Sequence, residues 1–176
     1  MRSIVLQFGL ISGALLSAMM AMTIALQNVV GFDYGMIVGY TTMVVAFLLI
    51  YFGVRRYRDS VAGGSVSFGR ACKVGALIAV ISSCCYVATW QVMYFNFMPD
   101  FSAKISAHTL EKAKAAGESE EAIAKKRKEL EEFEVLYQNP AINAAITFLE
   151  PLPVALIMTL VSAGLLSRRT IPSRTS

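Results

Sequence analysis

The chain has 176 residues, of which 56% are hydrophobic and 16% charged, and its mean hydropathy is +0.57. That balance lies well above the usual hydrophobic share of soluble domains. The formal net charge of +4 does not indicate a nucleic-acid binder, because the basic residues are divided among separate loops.

No charged residue lies between Arg2 and Asp33, between Asp33 and Arg55, or between Lys73 and Asp100. Each gap holds at least the ~20 apolar residues that a helix needs to cross a ~30 Å hydrocarbon core. A fourth apolar run, 141–166, is interrupted only by Glu150. Backbone in lipid must satisfy its own hydrogen bonds, so these runs predict helices. The expected fold is an all-α integral membrane protein with four transmembrane helices, spanning about 4–30, 34–54, 70–98 and 141–166 of a single membrane domain. The opening Arg2 and apolar run fit a signal peptide, but the run continues through Val30. That exceeds an h-region of about 7–15 residues and ends in no small-residue cleavage site, so the first span reads as retained.

Small residues recur at every fourth position in three spans: Gly9, Gly13, Ser17 and Ala21; Gly35 and Gly39; Ala71, Gly75, Ala79 and Ser83. Such spacing places each set on one helix face, suited to close packing inside the bundle or to a homo-oligomer or another membrane protein. Tyr51, Phe52 and Tyr57 at one boundary, and Tyr34, Trp90 and Tyr94 at the other, read as interfacial belts. The cysteines Cys72, Cys84 and Cys85 read as packing residues in or beside the third span, not as a disulfide framework.

The side with Arg2, the loop carrying Arg55, Arg56, Arg58, Arg70 and Lys73, and the tail carrying Arg168, Arg169 and Arg174 holds nine basic residues against Asp59. The opposite side, with a turn around Gly31–Asp33 and the segment 99–140, holds seven basic residues in that segment against nine acids. The positive-inside rule then gives N-in/C-in, with both termini cytoplasmic. The loop cations serve as topology determinants, or additionally as contacts to anionic lipid headgroups. Ser67 is positioned to cap the third helix.

Segment 99–140 predicts an extracytoplasmic helical hairpin between helices 3 and 4. Its first helix runs from about Asp100 to Ala116, with Gly117 as the stop. Ser119 caps the second, whose first turn carries Glu120 and Glu121. Ile123, Leu130, Phe133 and Tyr137 share one face. Glu121/Lys125, Lys125/Glu129, Arg127/Glu131 and Lys128/Glu132 form four-residue charge pairs, which makes the lysine run a solvated helix face.

An ionisable group inside a span is a functional hypothesis by default, which singles out Glu150. Asn143 and Thr147 share its face, and Pro151 and Pro153, which follow it, remove backbone donors and should kink the chain there. Leu166 should lie near the inner boundary, and Glu150 is sixteen residues earlier. At ~1.5 Å per residue, that leaves Glu150 about 6 Å below the outer edge of the ~30 Å core. Gln27, Gln91 and Asp33 fall at the same level and complete a polar cluster beneath the hairpin. Glu150 is either a hydrogen-bond partner at a helix break or part of an outward-facing pocket. His108, the only histidine, sits on the hairpin far in sequence from any nucleophile. With no metal cluster, phosphate loop or catalytic constellation, the chain reads as non-enzymatic and without cofactor.

These segments resemble a bacterial family catalogued as domain of unknown function 4199. The similarity lies at Phe32-Asp33-Tyr34-Gly35-Met36, Tyr57-Arg58-Asp59, Gly63-Gly64-Ser65-Val66-Ser67-Phe68-Gly69, Pro99-Asp100-Phe101, Asn139-Pro140 and Thr147-Phe148-Leu149-Glu150-Pro151-Leu152-Pro153. It implies a multi-pass protein of the bacterial cytoplasmic membrane and carries over no functional residue. The sequence thus predicts a non-enzymatic packing and interaction protein of the lipid bilayer. The alternative is a small transporter or transporter subunit using the cluster around Glu150.

Overall fold

The computed structural model describes residues 1–98 and 100–167, apart from the side chains of 27–30 and 32–33. Among these residues the chain forms seven helices and no strand: α1 Arg2–Ala25, α2 Gln27–Ser60, α3 Phe68–Phe97, α4 Phe101–Ala115, α5 Glu120–Tyr137, α6 Pro140–Leu149 and α7 Leu152–Leu166. Four stretches are long and apolar enough to cross a membrane: Arg2–Ala25, Tyr34–Ser60, Phe68–Phe97 and Pro140–Leu166. α4 and α5 form a hairpin between the third and fourth of these stretches. The predicted tail cations Arg168, Arg169 and Arg174 lie outside the described residues.

The run predicted as one span over 4–30 is divided. α1 closes at Leu26, where the backbone leaves the helix at φ −94° and ψ 8°, and residues 27–30 belong to α2. Within α2 the path bends at Gly31, with φ 72° and ψ 163°. That region is open essentially to glycine alone, so the bend is set by the missing Cβ. α2 then continues to Ser60, beyond the predicted end at 54.

α3 is the centre of the bundle, packed against α1, α2, α6 and α7. Two of the small-residue faces explain how closely it is approached. A Cβ at Gly9 would meet Ile81 of α3 at 2.8 Å, and one at Gly13 would meet the Cys85 Cβ at 2.6 Å. Gly75 faces Thr159 of α7 and Ile50 of α2 in the same way. The face at Gly35 and Gly39 differs: a Cβ there meets nothing within 4 Å. That pair therefore does not pack inside the bundle.

Below this level the core is closed. Phe47, Ile50, Val54, Val74 and Ile78 are fully buried. Three buried hydroxyls turn to backbone carbonyls: Ser12 donates to Ala46, Ser82 to Gly9 and Ile78, and Ser162 to Met158, whereas the buried Ser83 hydroxyl meets no partner among the described residues. Such pairing removes the cost of leaving a buried donor unsatisfied.

The hairpin closes through Gly117, at φ 74°, and the Ser119 hydroxyl accepts from the Ala122 amide as an N-cap. Lys125–Glu129 and Lys128–Glu132 pair at 3.9 Å, and Lys126 reaches Glu118 at 2.7 Å. At the other end, Ser67 takes the N-cap position of α3, but its side chain accepts no backbone hydrogen bond there. Arg55 and Arg58 share Asp59, while Arg56, Arg70 and Lys73 are exposed at the same end.

Candidate functional site

The hairpin is held to the bundle by a polar network in which each group has a defined role. Asn139 caps α6, accepting from the amides of Ala141 and Ile142, with Pro140 supplying a fixed φ in the first turn. This turn sets Asn143 fully buried beneath the end of α5. The Asn143 amide nitrogen donates to the Tyr137 carbonyl at 3.2 Å, and its oxygen accepts from Gln91 of α3 at 2.7 Å. Gln91 also donates to the Pro140 carbonyl.

A second chain of bonds joins the same elements. The Trp90 indole N–H donates to the Tyr137 hydroxyl at 2.9 Å; that hydroxyl pairs with Thr147 at 3.3 Å, and Thr147 donates to Asn143. Trp90 can only donate, and with the Thr147 proton given to Asn143 the Tyr137 proton is directed to Thr147. Burial pushes the Tyr137 hydroxyl above its ordinary pKa. Around these bonds Trp90, Tyr94, Phe101, Phe133 and Tyr137 form an aromatic cluster, with Trp90 and Phe101 edge to face at 5.1 Å and Phe133 stacked on Tyr137 at 5.3 Å. Trp90 and Tyr94 are accordingly 8% and 5% exposed. They are not belt residues at a headgroup surface, and neither is the buried Tyr57; Tyr34 and Phe52 do stay exposed.

Glu150 stands apart from this network. It closes α6, with Pro151 leading into α7. Both residues keep right-handed helical dihedrals, so the prolines interrupt the hydrogen-bond ladder without turning the chain sharply. The Glu150 carboxylate accepts from the Tyr86 hydroxyl of α3 at 3.0 Å. It borders a groove of about 770 Å³ between the upper parts of α1 and α2 and the hairpin helix α4. This is within the ~300–1,000 Å³ of typical ligand pockets.

The wall of the groove runs along α2 from Gly35 to Met43, about 12 Å of helix, with Gly31 also on its border. Leu16, Met20, Met36 and Met43 make it apolar, and Gly35 and Gly39 leave it wide. Its threonines add little polarity, since Thr23, Thr42 and Thr109 each donate to a carbonyl of their own helix. Glu150, Tyr86, Tyr137, His108 and Lys112 also line it. His108 is half-buried on this wall.

The predicted cluster therefore separates. Gln91, Asn143 and Thr147 meet and satisfy one another, while Glu150 pairs with Tyr86 and faces the groove. The side chains of Gln27 and Asp33 lie outside the described residues. Tyr86, Trp90 and Tyr137 were not among the predicted site residues. Tyr86, Trp90 and Tyr94, spaced four apart on α3, are the sequence signal for that aromatic face. Among the described residues, no group of three or more His, Cys, Asp or Glu side chains is arranged to hold a metal ion.

A family model described as a protein of unknown function, DUF4199, matches residues 7–168. The chain belongs to the DUF4199 family. The network and the groove lie wholly inside the matched DUF4199 unit, since their residues run from Leu16 to Glu150. No curated protein and no solved structure matches the chain.

Proposed function

We propose that this DUF4199 protein is a non-enzymatic, multi-pass protein of the bacterial cytoplasmic membrane that acts by binding a ligand beneath its hairpin. Both termini lie in the cytoplasm and the hairpin outside, the arrangement favoured by the basic bias of the end carrying Arg55, Arg56, Arg70 and Lys73. Those exposed cations are also suited to anionic headgroups of the bilayer.

The observation that carries this reading is the groove itself. The neighbouring network is occupied with holding the hairpin, whereas the groove leaves a carboxylate and an apolar wall accessible. Passage across the membrane is less well supported than binding. A pathway needs polar groups through the full thickness, and beneath Leu16 and Met43 stand the fully buried Phe47, Ile50 and Ile78.

Native mass spectrometry of the gently solubilised protein tests the binding role. Gly35 and Gly39 have room for side chains, so Gly35→Leu with Gly39→Leu should fill the groove and leave the melting temperature within about 2 °C. The wild-type protein is expected to carry small-molecule adducts that this variant lacks. Equal adduct occupancy in both proteins would overturn the binding site.

A further inference from the structure

The way Glu150 is held indicates the charge of the ligand. Its carboxylate accepts from Tyr86, whereas an ionised carboxylate offers about four lone-pair sites. Among the described residues no lysine, arginine or histidine forms an ion pair with it. A carboxylate beside apolar wall in a membrane protein is costly unless a counter-charge meets it. The groove offers space for that counter-charge to arrive with a ligand.

The rest of the wall suits the body of such a ligand. Trp90, Phe101 and Tyr137 border the same space, and aromatic rings attract diffuse cations as well as apolar groups. Met20, Met36 and Met43 add polarizable, adaptable side chains.

We propose that the groove binds lipophilic organic monocations, with Glu150 as counter-charge and the aromatic and methionine side chains as the apolar wall. This rests on the binding role above and adds the ligand's chemical class.

Trp90 supplies the measurement, because it is the only tryptophan in the chain and borders the groove. The full-length protein, in neutral-lipid nanodiscs, is titrated with tetraphenylphosphonium and, separately, with tetraphenylborate, which has nearly the same shape and the opposite charge. Saturable change in Trp90 emission is expected at a concentration at least about tenfold lower for the cation, and Glu150→Gln should weaken cation binding by about tenfold or more. Gly39→Leu, at a site with room for a side chain, should weaken both probes. Equal affinity for the two probes, or unchanged cation affinity in a folded Glu150→Gln protein, would overturn the monocation assignment while leaving a binding groove intact. Saturation by neither probe would overturn it also. The adduct measurement then decides separately whether the groove binds anything. If Glu150→Gln fails to fold, Tyr86→Phe takes its place; it removes the hydroxyl that orients the carboxylate, and an unchanged cation preference there would count against the proposal.

Discussion

Asn143→Leu should release the hairpin from the bundle while the four spans stay assembled. Leucine is close to asparagine in size, but it leaves the Gln91 amide, the Thr147 hydroxyl and the Tyr137 carbonyl without their shared partner. Each buried polar group left unpaired costs about 1–3 kcal/mol. Some regain other partners, since Gln91 still reaches Pro140 and Thr147 still reaches Tyr137. A loss of about 3 kcal/mol in the docking of α5 is therefore expected, or roughly a hundredfold faster amide exchange. Hydrogen exchange resolved by segment checks this. Residues 120–137 should lose protection while α1 keeps it; unchanged protection in α5 would show that the network does not hold the hairpin.

Gly13→Leu should do the opposite, damaging the bundle and sparing the hairpin. Even a Cβ at this position falls 2.6 Å from the Cys85 Cβ and 3.3 Å from the Ser82 Cα. The obstacle lies at backbone and Cβ atoms, which cannot move aside by changing rotamer. Overpacking of this kind costs about 1–3 kcal/mol and occasionally more, and for a chain of this size about 3 kcal/mol lowers the melting temperature by roughly 6–12 °C. A thermal melt of the purified protein measures it, with Gly39→Leu as the contrasting substitution. Gly13→Ala combined with Cys85→Gly should recover part of the loss seen in Gly13→Ala alone, because the two positions share one contact.

These two glycines also show what a sequence can and cannot disclose. Four-residue spacing puts Gly9 and Gly13 on one face, and Gly35 and Gly39 on another, by the same geometry. It does not say what stands opposite. α3 stands opposite the first pair, and the groove opposite the second. The spans themselves were legible because hydrocarbon excludes charge, leaving uncharged runs of sufficient length. The division at Leu26 was hidden for the same reason, as it falls inside one such run and carries no cap signature. The hairpin turn was readable from Gly117 and Ser119, since their roles depend on local backbone geometry alone.

The site was half legible. Glu150, Asn143, Thr147 and Gln91 stood out as polar residues in or beside apolar runs. Their pairing did not, because Gln91 and Asn143 are 52 residues apart and only the tertiary fold brings them to 2.7 Å. Trp90 and Tyr94 have the composition of a membrane belt, yet they are buried by a hairpin that folds back from residues farther along the chain. One level of the bundle thus holds two kinds of polar group. Asn143, Thr147 and Gln91 are satisfied by one another, and Glu150 is left facing the groove.

Thiol labelling at two depths tests the groove most directly. Single cysteines at Gly39 and Ser82 are placed in a protein whose Cys72, Cys84 and Cys85 have been replaced, and intact cells or oriented vesicles are treated with a small, membrane-impermeant reagent. Gly39→Cys lines the open groove and should label from the hairpin side, at a rate at least about tenfold above Ser82→Cys, which is fully buried in the closed core. Comparable labelling at both positions, or labelling of Gly39→Cys only from the opposite side, would contradict a groove that opens beneath the hairpin and ends above a sealed core.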